Sequence, residues 1–518
     1  MSIFTKIEKT NVSSNTFDLT HDRKLSTKMG LLTPVMVMDV VPGDQTTIKA
    51  NVLMRFAPLI APVMHRANVY CHFFFVPNRL VWDGWENFIT GGEDGFDDTT
   101  WPYIKMTGND PGSLADHLGI PQINESVTEH EISAIPFAAY QMIYNEYYRD
   151  QNLIQPLNDQ LTNGDNTSNR DLTEYHNRAW QHDYFTSALP WPQKGPEAML
   201  PLGSVAPVKA YNHQNPSGNV QAFREINGST PGDGTVDHVN YAPIGESTLA
   251  ANSGEISYID LRDSHYADLS TATASSINDL RRAFKLQEWL EKNARGGSRY
   301  IESISVHFGV RSSDARLQRP EFLGGISTPI KISEVLQTSS TDATTPQGSM
   351  AGHGISVGSG DYVSHYAEEH GYIMGIMSVM PMSAYQQGIP KHFLRTNKFD
   401  YFWPSFAHIG EQPIQNRELY VSDNEELNDQ TFGYTPRYSE YKYMSNTVHG
   451  DFKTSLDFWH MGRKFNQTPA LNESFLNCQA SEINRIFAVQ DGTDNLWCHV
   501  LNEVKAKRKM PIFGTPKF

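Results

Sequence analysis

Cysteine is nearly missing: the 518 residues contain Cys71, Cys478 and Cys498 and no others. An odd, sparse set builds no disulfide framework and fits a reducing compartment. It also falls short of a four-cysteine zinc site. Long apolar runs are missing too. The most apolar stretch, residues 31–41, is broken by Thr33, Pro34 and Asp39. No segment reaches the ~18 apolar residues of a membrane-spanning helix. Residues 1–10 carry Lys6, Glu8 and Lys9 without an apolar segment, so no signal peptide is expected. Charge is scarce as well. Asp, Glu, Lys and Arg make up 19% of the chain, below the usual ~25%. The 58 acids outnumber the 42 bases, for a formal charge of −16. Such a balance argues against a protein that coats nucleic acid with its whole surface. Aromatic residues, by contrast, reach 11%. Few charges with many rings suit a chain that buries much of its surface against partners.

Length leaves two organisations open: about three domains of ~150 residues, or one large β-domain with long insertions. The pattern favours the second. Residues 31–41 end at the turn cluster Pro42, Gly43, Asp44, and residues 46–56 form a second β-run stopped by Pro58. Residues 66–76 (RANVYCHFFFV) are the strongest strand and nearly continuous in apolar residues, as expected when both faces are buried. Residues 83–98 are acidic and glycine-rich and read as a loop. Phe137, Tyr140, Tyr144 and Tyr147 are spaced for a helix over 133–149. Residues 203–275 are rich in Gly, Ser, Asn, Thr and Pro, as expected of a large surface excursion. Ser276 and Asp279 begin a helix whose stripe is Ile277, Leu280, Phe284, Trp289 and Leu290, stopped by Gly296 and Gly297. Residues 299–310 and 371–382 read as further β-runs. No fixed-period repeat is present.

Catalytic motifs are weak. Gly354, Ser356 and Gly358 match G-x-S-x-G, but no buried strand precedes them and no helix follows, so a Gly/Ser loop is expected. There is no H-E-x-x-H, no Walker A motif and no dinucleotide fingerprint. His65 and His72 flank a strand at odd spacing, on opposite faces, and are read as separately satisfied rather than shared ligands. No cofactor motif stands out. Asp94, Asp97 and Asp98 could hold a hard cation such as calcium, though not with EF-hand spacing; a solvated acidic loop is the simpler reading. Lys505, Lys507, Arg508 and Lys509 form a basic tail suited to phosphate contacts, or merely to balancing nearby acids. Tyr401, Phe402 and Trp403, then Tyr434, Arg437, Tyr438, Tyr441 and Tyr443, lie in Pro-containing, charged segments. That setting suits loop contacts between subunits.

Several blocks carry a resemblance. Residues 17–24 (FDLTHDRK), 55–58 (RFAP), 72–80 (HFFFVPNRL), Trp82, Trp85 and 88–92 (FITGG) come first. Residues 188–195 (ALPWPQKG), 314–325 (DARLQRPEFLGG), 432–438 (FGYTPRY), 450–452 and 456–460 (LDFWH) follow in the same order. Together they resemble the major capsid proteins of the Microviridae, small single-stranded DNA bacteriophages, and are most similar to the gokushovirus branch. No block in residues 203–275 matches.

The resemblance implies one capsid domain over residues 1–518, an eight-stranded antiparallel jelly roll with long, partly helical insertions. Residues 203–275 would form a protrusion near the threefold axes. Sixty copies would close a T=1 shell around circular single-stranded DNA, assembled in the bacterial cytoplasm. A small basic DNA-binding protein and a host receptor are the further partners implied. Sixty chains at −16 place −960 on one shell, so charge must be segregated between its faces. The alternative class is a host-binding spike or carbohydrate-binding β-protein whose aromatics stack on sugars.

Overall fold

A computed structural model describes residues 13–513, apart from 107, 123–128, 197, 199–207, 211–264, 268–276, 298, 340, 342–346 and 491. Five strands come first: β1 (Asn15–Asp18), β2 (His21–Thr27), β3 (Thr33–Val40), β4 (Gln45–Phe56) and β5 (Ala67–Pro77). Short strands β6 (Tyr103–Met106), β7 (His130–Ser133), β8 (Val208–Ala210) and β9 (His265–Ala267) follow. Next are β10 (Glu321–Pro329), β11 (Lys331–Leu336), β12 (Met350–Ser359), β13 (Val363–Tyr366) and β14 (Gly371–Pro381). The set closes with β15 (Glu411–Gln415), β16 (Thr431–Pro436) and β17 (Leu496–Arg508).

The protein is mainly β, with antiparallel sheets and helical insertions. A large sheet runs β1–β17–β4–β12–β11, with β2 also on β17 and β13 also on β4. A smaller sheet runs β10–β5–β14–β3. Neighbours far apart in sequence, such as β4 with β17, place the middle of these sheets under long-range control. Two long connections, residues 78–320 and 382–495, leave and rejoin this framework.

The sheets face each other over one core. Alternation does this: in β4, Ile48, Ala50, Val52, Met54 and Phe56 turn inward while Gln45, Thr47, Lys49 and Arg55 turn out. On β17, Leu496, Cys498, Val500 and Val504 meet them. Val69, Cys71, Phe73 and Phe75 of β5 and Ile373, Met377 and Val379 of β14 supply the other wall. The opposite side of β5 and β14 is buried as well. There Phe74, Val76, Met374 and Ile376 join a second core with Phe137, Tyr140 and Tyr144 of helix Ile135–Ile143 and its continuation. The near-continuous apolar run of β5 thus has two covers, as its composition requires, though burial still alternates in its first half.

All three cysteines are buried and free, and burial pushes the Cys71 thiol up to about 12. They are inert packing groups. Among the described residues, no helix is long and apolar enough to cross a membrane.

The chain forms two compact units, residues 1–194 with 291–518, and residues 195–290. In the second unit β8 pairs with β9. Residues 277–290 there begin helix Ile277–Gly296, with Ile277, Phe284 and Trp289 exposed. Most of the 203–275 excursion lies outside the described residues.

Three expectations are corrected. Residues 299–310 are not a strand but contain helix Tyr300–Phe308. The Glu302 carboxylate accepts from the Arg299 N–H at its start, and Gly309 ends it at φ +67°. Residues 83–98 contain helix Trp85–Thr90, stopped by Gly91 in the left-handed region. Gly354–Gly358 is no loop: it is the middle of β12, and Ser356 is buried, donating to the Pro329 carbonyl at 3.1 Å.

Candidate subunit and nucleic-acid surfaces

Residues 391–445 lie on the second long connection, and they gather rings at the surface. Phe393, Phe399, Tyr401, Phe402, Trp403 and Met444 are all about half exposed or more. Exposed rings are costly unless something covers them. Here they are also held in place. Tyr438 is the buried pin, 4% exposed, with its backbone in the left-handed region at φ +61°. Its N–H donates to the Gln412 Oε1 at 3.0 Å, which offsets that unfavourable backbone. Its hydroxyl accepts from the Trp403 N–H at 3.4 Å and lies 3.5 Å from the Tyr401 carbonyl. The Phe402 ring packs edge-on to Tyr438 at 5.0 Å, and the Phe402 N–H donates to the Tyr441 hydroxyl at 3.2 Å.

Arg395 ties the two segments together. Its guanidinium lies 4.3 Å from the Tyr441 ring and 5.3 Å from the Tyr401 ring. It pairs with Glu440 at 3.5 Å, both side chains being about nine-tenths buried. Glu440 also accepts from Gln412 at 2.7 Å. Tyr401, Phe402, Trp403, Tyr438 and Tyr441 therefore form one patch. Arg437 stacks beside it, 5.1 Å from the Tyr438 ring. Tyr443 is exposed nearby in sequence, with its N–H on the Ser439 carbonyl at 3.0 Å. Tyr434 stands apart on β16, exchanging two backbone hydrogen bonds with Leu189 at 2.8 and 2.9 Å. Sequence reading missed Arg395, Gln412 and Glu440. The ring density continuing upstream to Phe393 was the available signal.

The basic run is divided. Lys505, Lys507 and Arg508 belong to β17, so the run is sheet rather than a free tail. Lys505 and Lys507 point away from the core and are exposed. Lys505 is one of the groups that hold the Asp18 carboxyl below its ordinary range, after the Thr20 hydrogen bonds. Arg508 points the other way. It meets Asp44, fully buried, at 3.1 Å and donates to the Asp39 carbonyl at 2.7 Å. Lys509 lies against the Gly43 turn, where φ is +91° and an added Cβ would come within 2.9 Å of its Cε. Two of the four cations face solvent on one sheet face, and a third is committed to the fold.

The remaining candidates resolve locally. His65 is hydrogen-bonded with the Met382 carbonyl at 2.7 Å and His72 with the Tyr148 hydroxyl at 2.8 Å, so each has its own partner. His65 lies outside β5, and the opposite-face argument does not apply to it. Asp94 accepts from the Phe96 N–H at 3.1 Å and Asp97 from the Thr99 hydroxyl at 2.5 Å. Among the described residues no cluster of three His, Cys, Asp or Glu is arranged to hold a metal ion.

Comparison with known proteins converges. The family described as Capsid protein (F protein) matches residues 5–518. Capsid protein VP1 of Bdellovibrio phage phiMH2K is 37% identical over 91% of this chain and 89% of that protein. Capsid protein VP1 of Chlamydia phage 1 is 32% identical over 99% of this chain and 97% of its own length. Capsid protein VP1 of Spiroplasma virus 4 is 34% identical, with the same coverage.

Proposed function

The chain belongs to the capsid protein (F protein) family, as a structural, non-enzymatic major capsid protein of the Microviridae, and from that premise we propose that sixty copies close a T=1 shell around circular single-stranded DNA. The strand order supports an eight-stranded jelly roll as the building block. In chain order the eight are β2, β3, β4, β5, β10, β12, β14 and β17. The first, third, sixth and eighth stand together as β2–β17–β4–β12, and the others as β3–β14–β5–β10. That interleaving is the pattern of two Greek keys folded into facing sheets. Under this reading residues 1–518 are one capsid domain, and the two long connections are insertions between barrel strands.

The observation that carries assembly is the pinned aromatic patch. A monomer has no use for rings pinned outward by a network of hydrogen bonds, whereas a subunit contact uses rigid aromatic anchors. Each contact can be weak, because closed symmetry lets many act together. The test is electron microscopy and sedimentation of the purified protein beside Phe402→Ala/Trp403→Ala. The wild type is expected to form closed particles, and the variant to keep its secondary structure while remaining as free subunits. Variant particles of ordinary size and yield would contradict the role of the patch.

The further shell partners are proposed from charge and composition. A small basic protein would offset the net acidity beside the genome. Host recognition is assigned to the 203–275 excursion, whose deletion should leave particles that assemble but attach poorly.

A further inference from the structure

We infer that the face of the large sheet that the described residues leave uncovered is a binding surface for single-stranded nucleic acid. The inference rests on the capsid reading only in making this face the inner wall of the shell. Cross-strand neighbours share a face, so its make-up can be read from the register. Trp497 lies opposite Arg55, and Arg55 opposite Ile355, which in turn faces Lys331. Lys505 stands between Thr47 and Asp18, and Lys507 between Gln45 and Thr16. Lys24 is opposite His499, and Lys49 opposite Glu503.

The strand positions of this face thus hold Lys24, Lys49, Arg55, Lys331, Lys505 and Lys507 against Asp18, Asp22 and Glu503. In a chain of net charge −16, a twofold surplus of cations on one face is a segregation of charge. The carboxylates are also the engaged partners. Glu503 accepts from Asn51 and, at 3.2 Å, from the Tyr362 hydroxyl. Asp18 accepts from the Thr20 N–H at 3.0 Å, and Asp22 lies 3.1 Å from His499 and 4.0 Å from Lys24. Among the described residues Lys49, Arg55, Lys331, Lys505 and Lys507 make no ion pair.

Aromatic platforms sit among these cations. Trp497, Tyr362 and Tyr366 are 50%, 57% and 56% exposed. Lys49 lies 5.2 Å from the Tyr362 ring, and Tyr366 is opposite Gln45, the neighbour of Lys507. From Trp497 to Lys507 the strand spans about 33 Å, the reach of several nucleotides. Cations that track a backbone, with rings on which bases stack, are what single strands require and duplexes do not.

The test titrates full-length protein, as free subunits before assembly, with a fluorescent oligothymidylate between 50 and 200 mM salt. Arg55→Gln/Lys505→Gln/Lys507→Gln should bind at least tenfold more weakly at low salt, with a salt slope shallower by about 2. Lys505→Arg/Lys507→Arg should keep the wild-type slope. Trp497→Ala should weaken oligothymidylate binding about tenfold and leave duplex binding unchanged. A triple variant with unaltered affinity and slope, or a wild type without salt-dependent affinity, would overturn the proposal. Closed particles, scored by microscopy after the same preparations assemble, report the capsid reading whatever the oligonucleotide does, so the two can fail separately.

Discussion

The two facing sheets share one core yet differ on their other sides. Across β5 and β14 the small sheet is covered twice, by the shared core and by the insertion that carries Phe137, Tyr140 and Tyr144. Among the described residues the large sheet is covered once. Its β4 and β17 alternate inward and outward along their whole length and leave Trp497, Lys505 and Lys507 in solvent. What an insertion covers is thereby withdrawn from partners, and what it leaves bare is available to them. Under the proposed reading, the bare face is the one that meets the genome.

The sharpest way to break the comparison is to truncate one residue on each side. Phe74→Ala, under the insertion, should cost about 3–5 kcal/mol. Val357→Ala, 72% exposed on the bare face, should stay within about 0.5 kcal/mol. Thermal unfolding of the two variants checks this, and equal losses would mean that the bare face is covered after all. Next in size is Arg508→Met, which leaves the buried Asp44 carboxylate without its cation and should cost about 3 kcal/mol. Lys507→Met, one residue away but facing out, should be nearly silent in the same melt.

Acid should loosen the covered side first. Burial holds His72 and His176 at about 4, against an ordinary ~6.5. His72 of β5 is hydrogen-bonded with Tyr148, and His176 stacks on Tyr144 at 4.0 Å, so both sit where the insertion packs on the small sheet. Their folded values lie below the unfolded one, so the unfolded chain takes up protons first. Stability is full above about pH 6.5 and falls as pH drops toward 4. A drop in midpoint of roughly 5 °C between pH 7 and pH 4.5 is expected. Hydrogen exchange should rise earlier in residues 135–148 than in β17. Uniform loosening would blur the distinction between the sheets. The smallest effect is Trp497→Ala, whose melt should match the wild type within about 0.5 kcal/mol.

Half of the eight principal strands, β3, β4, β5 and β14, were legible because each carries a local signal. Turn residues at 42–44 and Pro58 bracket β4, and the run RANVYCHFFFV announces β5 with two covers. Failures occurred where local and tertiary signals diverge. In residues 299–310, Ser303, Ser305 and His307 alternate with Ile304, Val306 and Phe308 like a strand, yet the Glu302 and Gly309 caps fix a helix. The basic run looked like a tail because nothing local shows that β17 has β4, β1 and β2 as partners more than 430 residues away. The same blindness hid the fate of Arg508: its partner, Asp44, lies on a turn of the first strands. Among the surface residues, ring density was visible. The polar set that pins it, Arg395 with Glu440 and Gln412, comes from three separate segments and carries no spacing signal.

The most direct test is a reconstruction of assembled particles by electron microscopy at a resolution that shows side chains. The predicted result is a closed shell with Trp497, Lys505 and Lys507 lining its interior and Phe402 and Trp403 buried against a neighbouring subunit. A shell with the bare sheet face on its outer surface, or with those aromatic rings in solvent, would contradict the account.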